Sequence, residues 1–197
     1  MSIDKNHIEW QQIYESDSSQ HKNKYPHTEF VSFIMNNYGG VKDRTKIKIL
    51  DLGCGWGNNL SFLKNEGFDY YGIDFSKAAV DHCKKEYKNI SLGDISNMPY
   101  KKNYFNCVFD RMSIQHNSKE KIKLIFSEVF RVMDSGGVFF SILASKMDYS
   151  LFTTYLSKND LQNLLCKYTS DINILDVSIK NSNKIISQTN IVIAKKA

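Results

Sequence analysis

Short apolar runs alternate with amphipathic segments along most of this chain. The apolar runs are rich in Val, Ile, Tyr and Phe and end at polar or Gly residues, which predicts β-strands. Five such strands are predicted: Ile47–Leu52, Tyr70–Asp74, Asn89–Leu92, Tyr104–Phe109 and Val138–Leu143. A helix is predicted from Ser118 to Met133, between the last two of them. Strands alternating with helices are typical of a parallel α/β sheet.

The end of the chain follows a different pattern. A helix predicted at Ser157–Tyr168 precedes two β-rich runs, Ile172–Ile179 and Ile186–Ala194, which are separated by Asn181, Ser182 and Asn183. Two strands joined by such a polar turn predict a hairpin. The predicted fold is therefore an α/β three-layer sandwich with a seven-stranded, mostly parallel, doubly wound sheet and a C-terminal antiparallel hairpin. A dinucleotide domain would instead have six parallel strands.

The first strand runs directly into Asp51 and a loop with three alternating glycines, Gly53, Gly55 and Gly57. Glycines allow a ligand to approach the backbone, and the helix that follows directs free N–H groups towards it. A dinucleotide loop has the spacing G-x-G-x-x-G, and Asn58 occupies the position of its third glycine. The loop therefore predicts a different nucleotide cofactor, with a tight turn of any doubly wound fold as the alternative.

Two further strands also end in acidic residues. Asp74 ends the second strand seventeen residues after Gly57, and Ser76 is placed to cap the next helix. A carboxylate at that position accepts hydrogen bonds from both hydroxyls of a ribose. Asp94 follows Gly93 after the third strand. The alternatives are a helix N-terminal charge for Asp74 and a turn-forming role for Asp94.

The D-x-G-x-G-x-G spacing resembles the first motif of the class I S-adenosylmethionine-dependent methyltransferases, and the resemblance extends from Lys46 to Leu143. The family's Lys-Pro-Gly-Gly turn is altered, because Asp134 and Ser135 precede the two glycines. The resemblance implies that Asp51 orients the methionine amino group, that Asp74 binds the ribose, and that Asp94 and Ile95 hold the adenine.

The same resemblance implies S-adenosylmethionine as the cofactor and S-adenosylhomocysteine as the product. The predicted cofactor-binding residues are Trp10, Tyr14, Asp51, Gly53, Cys54, Gly55, Gly57, Asn58, Asn59, Asp74, Phe75, Asp94, Ile95, Arg111 and Met112.

The N-terminal part of the chain also resembles that of small-molecule methyltransferases whose N-terminal helix carries Trp and Tyr. Residues 1–40 are therefore predicted to be a helical lid on a methyltransferase domain at 41–197, within a single overall domain. Ordinary core packing is the alternative for its aromatic residues.

Methyl transfer by direct in-line attack needs alignment more than covalent catalysis. His116 is the candidate general base for a hydroxyl or a protonated amine, because its pKa lies near neutral pH. A capping or packing role is the alternative for His116, and a carboxylate or thiolate acceptor needs no base. The four cysteines are far apart, with no C-x-x-C pair, so no metal site is predicted.

Composition and charge narrow the choice of methyl acceptor and of the protein's location in the cell. The 197 residues are 42% hydrophobic and carry a formal charge of +5, with Lys and Arg spread along the chain. The chain also lacks the Pro-Pro-aromatic and Pro-Cys motifs of base methylation. We therefore expect a small-molecule methyl acceptor rather than nucleic acid, no membrane span, a cytoplasmic location, and a monomer or homodimer. The alternatives are a non-catalytic S-adenosylmethionine-binding subunit and, third, an NAD-dependent oxidoreductase.

Overall fold

The computed structural model describes residues 5–16, 25–146, 153–181 and 184–197. The helices in these ranges are α1 (Lys5–Glu15), α2 (Thr28–Tyr38), α3 (Asn58–Asn65), α4 (Lys77–Cys83), α5 (Lys119–Val132) and α6 (Lys158–Leu165). The strands are β1 (Lys48–Leu52), β2 (Asp69–Asp74), β3 (Ile90–Leu92), β4 (Phe105–Arg111), β5 (Met133–Lys146), β6 (Asp171–Asn181) and β7 (Lys184–Lys195). Short 3₁₀ turns form at Arg44–Lys46 and Ile114–His116.

The strands form one seven-stranded sheet in the order β3-β2-β1-β4-β5-β7-β6. The pairs β1–β2, β2–β3 and β4–β5 are parallel, whereas β7 is antiparallel to both β5 and β6. This arrangement confirms the predicted α/β fold with a mostly parallel sheet and a C-terminal hairpin. The chain divides into two compact units, Met1–Ile95 and Ser96–Ala197. The predicted boundary near residue 40 stays a prediction.

The first unit places the ends of β1 and β2 side by side. The two strands are in parallel register, with Leu52 opposite Ile73. Gly53 and Asp74, the next residues in each strand's direction, therefore reach the same edge of the sheet. Within this unit, α2 packs on α3 through Phe30 and Phe62, whose ring centroids lie 6.0 Å apart.

The second unit is built around the amphipathic helix α5. Ser118 caps this helix by accepting a hydrogen bond from the Lys121 backbone N–H. Its buried residues recur every three or four positions: Ile122, Ile125, Phe126, Val129, Phe130 and Val132. Phe126 packs edge-on against Phe139 of β5, with ring centroids 5.8 Å apart. Helix α6 begins with a capping box between Ser157 and Asp160.

Two predicted boundaries in the second unit were wrong. Strand β5 starts at Met133 rather than Val138, because Met133 and Val138 pair with Phe105 and Cys107 of β4. The intervening residues 134–137, predicted as a turn, form a bulge, and Gly136 supplies its positive φ of 72°. Helix α6 ends at Leu165 rather than Tyr168. The ring of Tyr168 stacks instead on Phe130, with centroids 4.7 Å apart.

Helices α1 and α2 lie within the predicted N-terminal lid segment, whose role stays a prediction. Residues 1–4 and 17–24 of that segment lie outside the described residues, as do Ser182 and Asn183 of the predicted hairpin turn. No helix in the described part of the chain has the length and hydropathy of a membrane span. Within those same ranges, His, Cys, Asp and Glu form no group of three or more that could hold a metal ion.

Replacing Lys196 with alanine is expected to lower the free energy of unfolding by about 1–3 kcal/mol. The Lys196 ammonium donates to the carbonyl oxygens of Phe130 and Met133 and to Asn103 Oδ1, each at 2.7 Å. It therefore ties the end of the chain to the C-terminal end of α5. Urea unfolding measures the change, with the exposed neighbour Lys195→Ala as the control. Equal stability of the two variants would contradict this role.

Candidate functional site

The glycine loop between β1 and α3 has an unusual backbone conformation. Gly53, Gly55 and Gly57 have φ values of 63°, 51° and 78°. The backbone N–H groups of Gly53 and Cys54 donate to the Ile73 carbonyl at 2.8 and 3.1 Å, which anchors the loop to β2. Gly57 is the N-cap of α3, so the free N–H groups of this helix begin directly after the third glycine.

Two of these glycines are closely approached by other residues. A Cβ on Gly55 would lie 2.7 Å from the Tyr14 hydroxyl oxygen. A Cβ on Gly57 would lie 2.6 Å from the Tyr87 ring and 3.0 Å from Cys83 Sγ. Only glycine combines a positive φ with these short approaches. Gly55 and Gly57 are therefore required by the packing of the chain's own side chains, and the loop from Gly53 to Gly57 with its three positive-φ glycines is called the glycine cradle below.

Asp74 joins the glycine loop to the start of α4. Its Oδ2 accepts a hydrogen bond from the Gly55 N–H at 2.9 Å, and its Oδ1 accepts one from the Ser76 N–H at 2.8 Å. Ser76 caps α4 as predicted, by accepting from the Ala79 N–H. Only 3% of Asp74 is exposed. Burial raises the pKa of Asp74, while the backbone N–H donors oppose that change.

Asp51, the last but one residue of β1, is hydrogen-bonded to Asn59. The Asn59 side-chain amide donates to Asp51 Oδ2 at 3.4 Å and accepts from the His27 backbone N–H at 3.1 Å. Both Asp51 and Asn59 are buried. Asn59 therefore connects the acidic residue before the loop to the start of α2. No pattern in the sequence indicates the contact with His27, which lies 32 positions from Asn59.

An aromatic cluster joins α1 to the loop and to α4. The ring centroids of Trp10 and Tyr14 lie 6.0 Å apart, those of Tyr14 and Trp56 5.5 Å, and those of Trp56 and His82 4.4 Å. Burial and then the Asp74 charge raise the pKa of Tyr14 well above its usual value. Trp56 and His82 were not among the predicted site residues. The position of Trp56 between two loop glycines was the available signal.

Two buried thiols lie beneath the loop. Cys83 Sγ donates to the Gly55 carbonyl at 3.1 Å, and a hydrogen bond with Cys83, followed by burial, raises the pKa of Cys54. Both cysteines are unoxidised and buried, as is Cys107, whereas Cys166 is exposed. Thiols with a raised pKa are poor nucleophiles. Cys54 therefore serves the packing of the loop, and Cys83 is buried beside it.

The other predicted residues of the first unit lie around the same loop edge. Asn58 is the first residue of α3, and Phe75 follows Asp74 and is half-buried. The turn after β3 is tied to β2, since the Gly93 N–H donates to the Asp74 carbonyl at 3.0 Å. In that turn Asp94 is half-buried and Ile95 is buried. Their contacts with a ligand stay predictions.

The segment after β4 belongs to the second unit. Arg111 is exposed, and Met112 is half-buried with a φ of 60°. The Met112 N–H donates to the Ile142 carbonyl at 2.9 Å. His116 is half-buried and ends the 3₁₀ turn, where its N–H donates to the Ser113 carbonyl at 3.2 Å. The ligand contacts of Arg111 and Met112 and the catalytic role of His116 stay predictions.

Asp110 has the most extensive side-chain hydrogen bonding in this segment. Its Oδ1 accepts from the N–H groups of Ser113 and Ile114 at 3.0 and 3.1 Å and from the Ser113 hydroxyl. Its Oδ2 accepts from the Ser141 hydroxyl at 2.7 Å. Burial raises the pKa of Asp110, and these donors oppose the change. Asp110 was not among the predicted site residues.

Part of the chain is similar in sequence to known methyltransferases. Residues 49–137 match a family model described as a methyltransferase domain. A tRNA (carboxymethyluridine(34)-5-O)-methyltransferase of Arabidopsis thaliana is 26% identical over 122 residues, which cover 61% of this chain and 27% of that protein. Squalene methyltransferase 1 of Botryococcus braunii is 30% identical over 102 residues, covering 47% of this chain and 26% of that protein. The chain thus spans about a quarter of the length of these two relatives.

A solved structure supports the fold over most of the chain. The SAM-dependent methyltransferase from Archaeoglobus fulgidus aligns with a TM-score of 0.66 and 18% identity, over 85% of this chain and 94% of that one. The glycine cradle, with a buried acid at the end of each adjoining strand, fits the cofactor of that family. Residues 49–137 thus carry a methyltransferase domain, and the fold of the chain is that of the solved SAM-dependent methyltransferase.

Proposed function

We propose that this protein transfers a methyl group from S-adenosylmethionine to an oxygen or nitrogen nucleophile of a small metabolite. The observation that carries the proposal is the glycine cradle between two buried carboxylates, Asp51 and Asp74. The donor supplies a methyl group on a positively charged sulfur, which is electrophilic without further activation. A cationic ligand without phosphates suits a loop edge with two carboxylates better than a pyrophosphate does.

The proposed role of each side chain follows from its position at the loop and from the hydrogen bonds that it makes there. Asp74 spends one hydrogen bond per oxygen on Gly55 and Ser76, and each oxygen retains a lone pair for a ribose hydroxyl. Asp51 holds the methionine amino group, with Asn59 fixing the orientation of the carboxylate. Trp10 and Tyr14 exclude water from the reacting centre. Asp94 and Ile95 bind the adenine.

The short connection between β5 and α6 in the second unit supports a small acceptor. Strand β5 ends at Lys146 and α6 begins at Lys158, which leaves little chain for a separate substrate domain. A hydroxyl or protonated amine acceptor would lose its proton to His116, whose usual pKa is near neutral. A carboxylate or thiolate acceptor would not need His116. A cytoplasmic location and a monomeric or dimeric state are part of the same proposal.

RNA is the second candidate acceptor, and two observations favour it. The Arabidopsis thaliana relative is named as a tRNA methyltransferase. The basic charge of the chain is also uneven, because residues 96–197 hold 14 of the 26 Lys and Arg residues but only 8 of the 21 Asp and Glu residues. Binding of bulk tRNA that weakens with rising salt, together with methyl incorporation into it, would favour RNA over a metabolite.

Thermal unfolding with S-adenosylmethionine, S-adenosylhomocysteine and NAD tests the proposed cofactor. A ligand at 100 times its dissociation constant stabilises the folded state by about 2.7 kcal/mol, so a clear rise in melting temperature is expected with the two sulfur compounds. A rise with NAD alone would favour an oxidoreductase and contradict the proposal. Donor binding without transfer to any acceptor would favour a non-catalytic binding subunit.

A further inference from the structure

Met112 has a backbone conformation that its side chain disfavours. Among the described residues, the non-glycine residues with a positive φ are Asn89 at 56°, Asn103 at 53° and Met112 at 60°. Asparagine adopts this conformation readily, because its short side chain hydrogen-bonds to nearby backbone. Methionine has no such compensation. Other contacts must therefore hold Met112 in the left-handed region.

The Asp110 carboxylate supplies those contacts. It accepts the N–H groups of Ser113 and Ile114, the two residues that directly follow Met112, at 3.0 and 3.1 Å. The fully buried Ser141 donates to the other carboxylate oxygen at 2.7 Å. The carboxylate thus binds the backbone of the two residues that follow Met112, and it is itself hydrogen-bonded to Ser141 of β5. The chain must turn sharply at Met112 to meet both constraints.

We propose that Asp110 is a positioning residue, which holds Met112 in its left-handed conformation and so sets the orientation of Arg111 and Met112, two residues that the sequence predicts to bind the methyl donor. The inference rests on the proposed function, because that function requires the donor. Asp110 has no exposed surface, so a substrate proton cannot reach its carboxylate. Asp110 therefore acts through the backbone and not as a base.

The first test compares two substitutions at position 110 in the full chain, by calorimetric titration with S-adenosylhomocysteine. Asp110→Ala removes every acceptor and is expected to weaken binding by about tenfold or more. Asp110→Asn is expected to stay within about threefold of the unmodified chain, because its amide oxygen still accepts both N–H groups and its amide nitrogen donates to Ser141. An Asn variant as damaged as the Ala variant would overturn the proposal.

The second test is a double-mutant cycle with Met112, which separates positioning from general stability. Glycine adopts a positive φ without cost, whereas alanine does not. In a Met112→Gly background the penalty of Asp110→Ala should shrink to about threefold or less, and in a Met112→Ala background it should stay near tenfold. Both backgrounds lack the methionine side chain, so the comparison between them reports the backbone conformations that residue 112 can adopt. Equal penalties in the two backgrounds would overturn the proposal.

Urea unfolding of each variant identifies any loss of folding. If Asp110→Ala does not fold, Asp110→Ser replaces it in both tests, because a serine hydroxyl is too short to accept both N–H groups; the same pattern is expected. Failure of the unmodified chain to bind S-adenosylhomocysteine would refute the proposed function itself. Binding by the unmodified chain, with no loss in the Ala or Ser variant, would refute only the role of Asp110.

Discussion

Replacing Asp74 with alanine is expected to remove the thermal stabilisation that S-adenosylhomocysteine gives the unmodified chain. The carboxylate fixes the Gly55 and Ser76 N–H groups and, in the proposed function, also binds the ribose. Hydrogen bonds to a charged group contribute about 1.5–3 kcal/mol each, so the loss of two ribose contacts weakens binding by about 10²–10⁴-fold. Calorimetric titration with S-adenosylhomocysteine measures the change.

Asp69→Ala is the matched control, because Asp69 is the first residue of the strand that Asp74 ends. This variant should bind the ligand as the unmodified chain does. Asp74→Asn keeps one acceptor oxygen but loses the charge, and we expect it to fall between the two. Undiminished affinity in Asp74→Ala, in a folded protein, would remove Asp74 from the donor site and leave it as a loop anchor.

A second large effect is expected for Gly57→Ala. A positive φ costs a non-glycine residue about 1–2 kcal/mol, and forcing a Cβ towards the Tyr87 ring at 2.6 Å costs about 1–3 kcal/mol more. The free energy of unfolding should therefore fall by about 2–5 kcal/mol. Donor affinity should fall as well, because the substitution displaces the first turn of α3. Urea unfolding and ligand titration measure the two effects.

Gly67 provides a close control for this experiment. Its φ is also 78°, but no heavy atom lies within 4 Å of the position of its Cβ. Gly67→Ala should therefore show the backbone cost alone, about 1–2 kcal/mol, with donor affinity unchanged. The difference between the two variants measures the close approach at the loop. Similar losses of stability and affinity in both would show that the contact with Tyr87 is unimportant.

Features that depend on neighbouring residues were predictable from the sequence. Ser76 was predicted as a helix cap, and its side chain does accept the Ala79 N–H, because capping involves residues only three positions apart. The glycine loop was recognised for the same reason, since its conformation depends on consecutive residues. The order of strands and helices followed from periodicity, and the sheet that they form agrees with it.

Features that depend on distant pairing were not predictable. The bulge at 134–137 exists because β4 pairs with β5 on both sides of it. The four residues themselves, with their two glycines, indicate only a turn. Tyr168 was assigned to a helix, but its stacking on Phe130 lies outside any helical pattern. The role of Asp110 was hidden because its partner Ser141 lies 31 positions away.

The sequence by itself determined the α/β class, the order of strands and helices along the chain, the glycine loop and the acids at the strand ends. Periodicity, capping and turn formation are local properties of the chain, which explains why these features could be read directly. Only the tertiary structure decided which side chains orient those acids. Asn59 and His27, and Asp110 and Ser141, meet because the fold brings distant segments into hydrogen-bond distance, and buried polar groups must find partners wherever the fold supplies them.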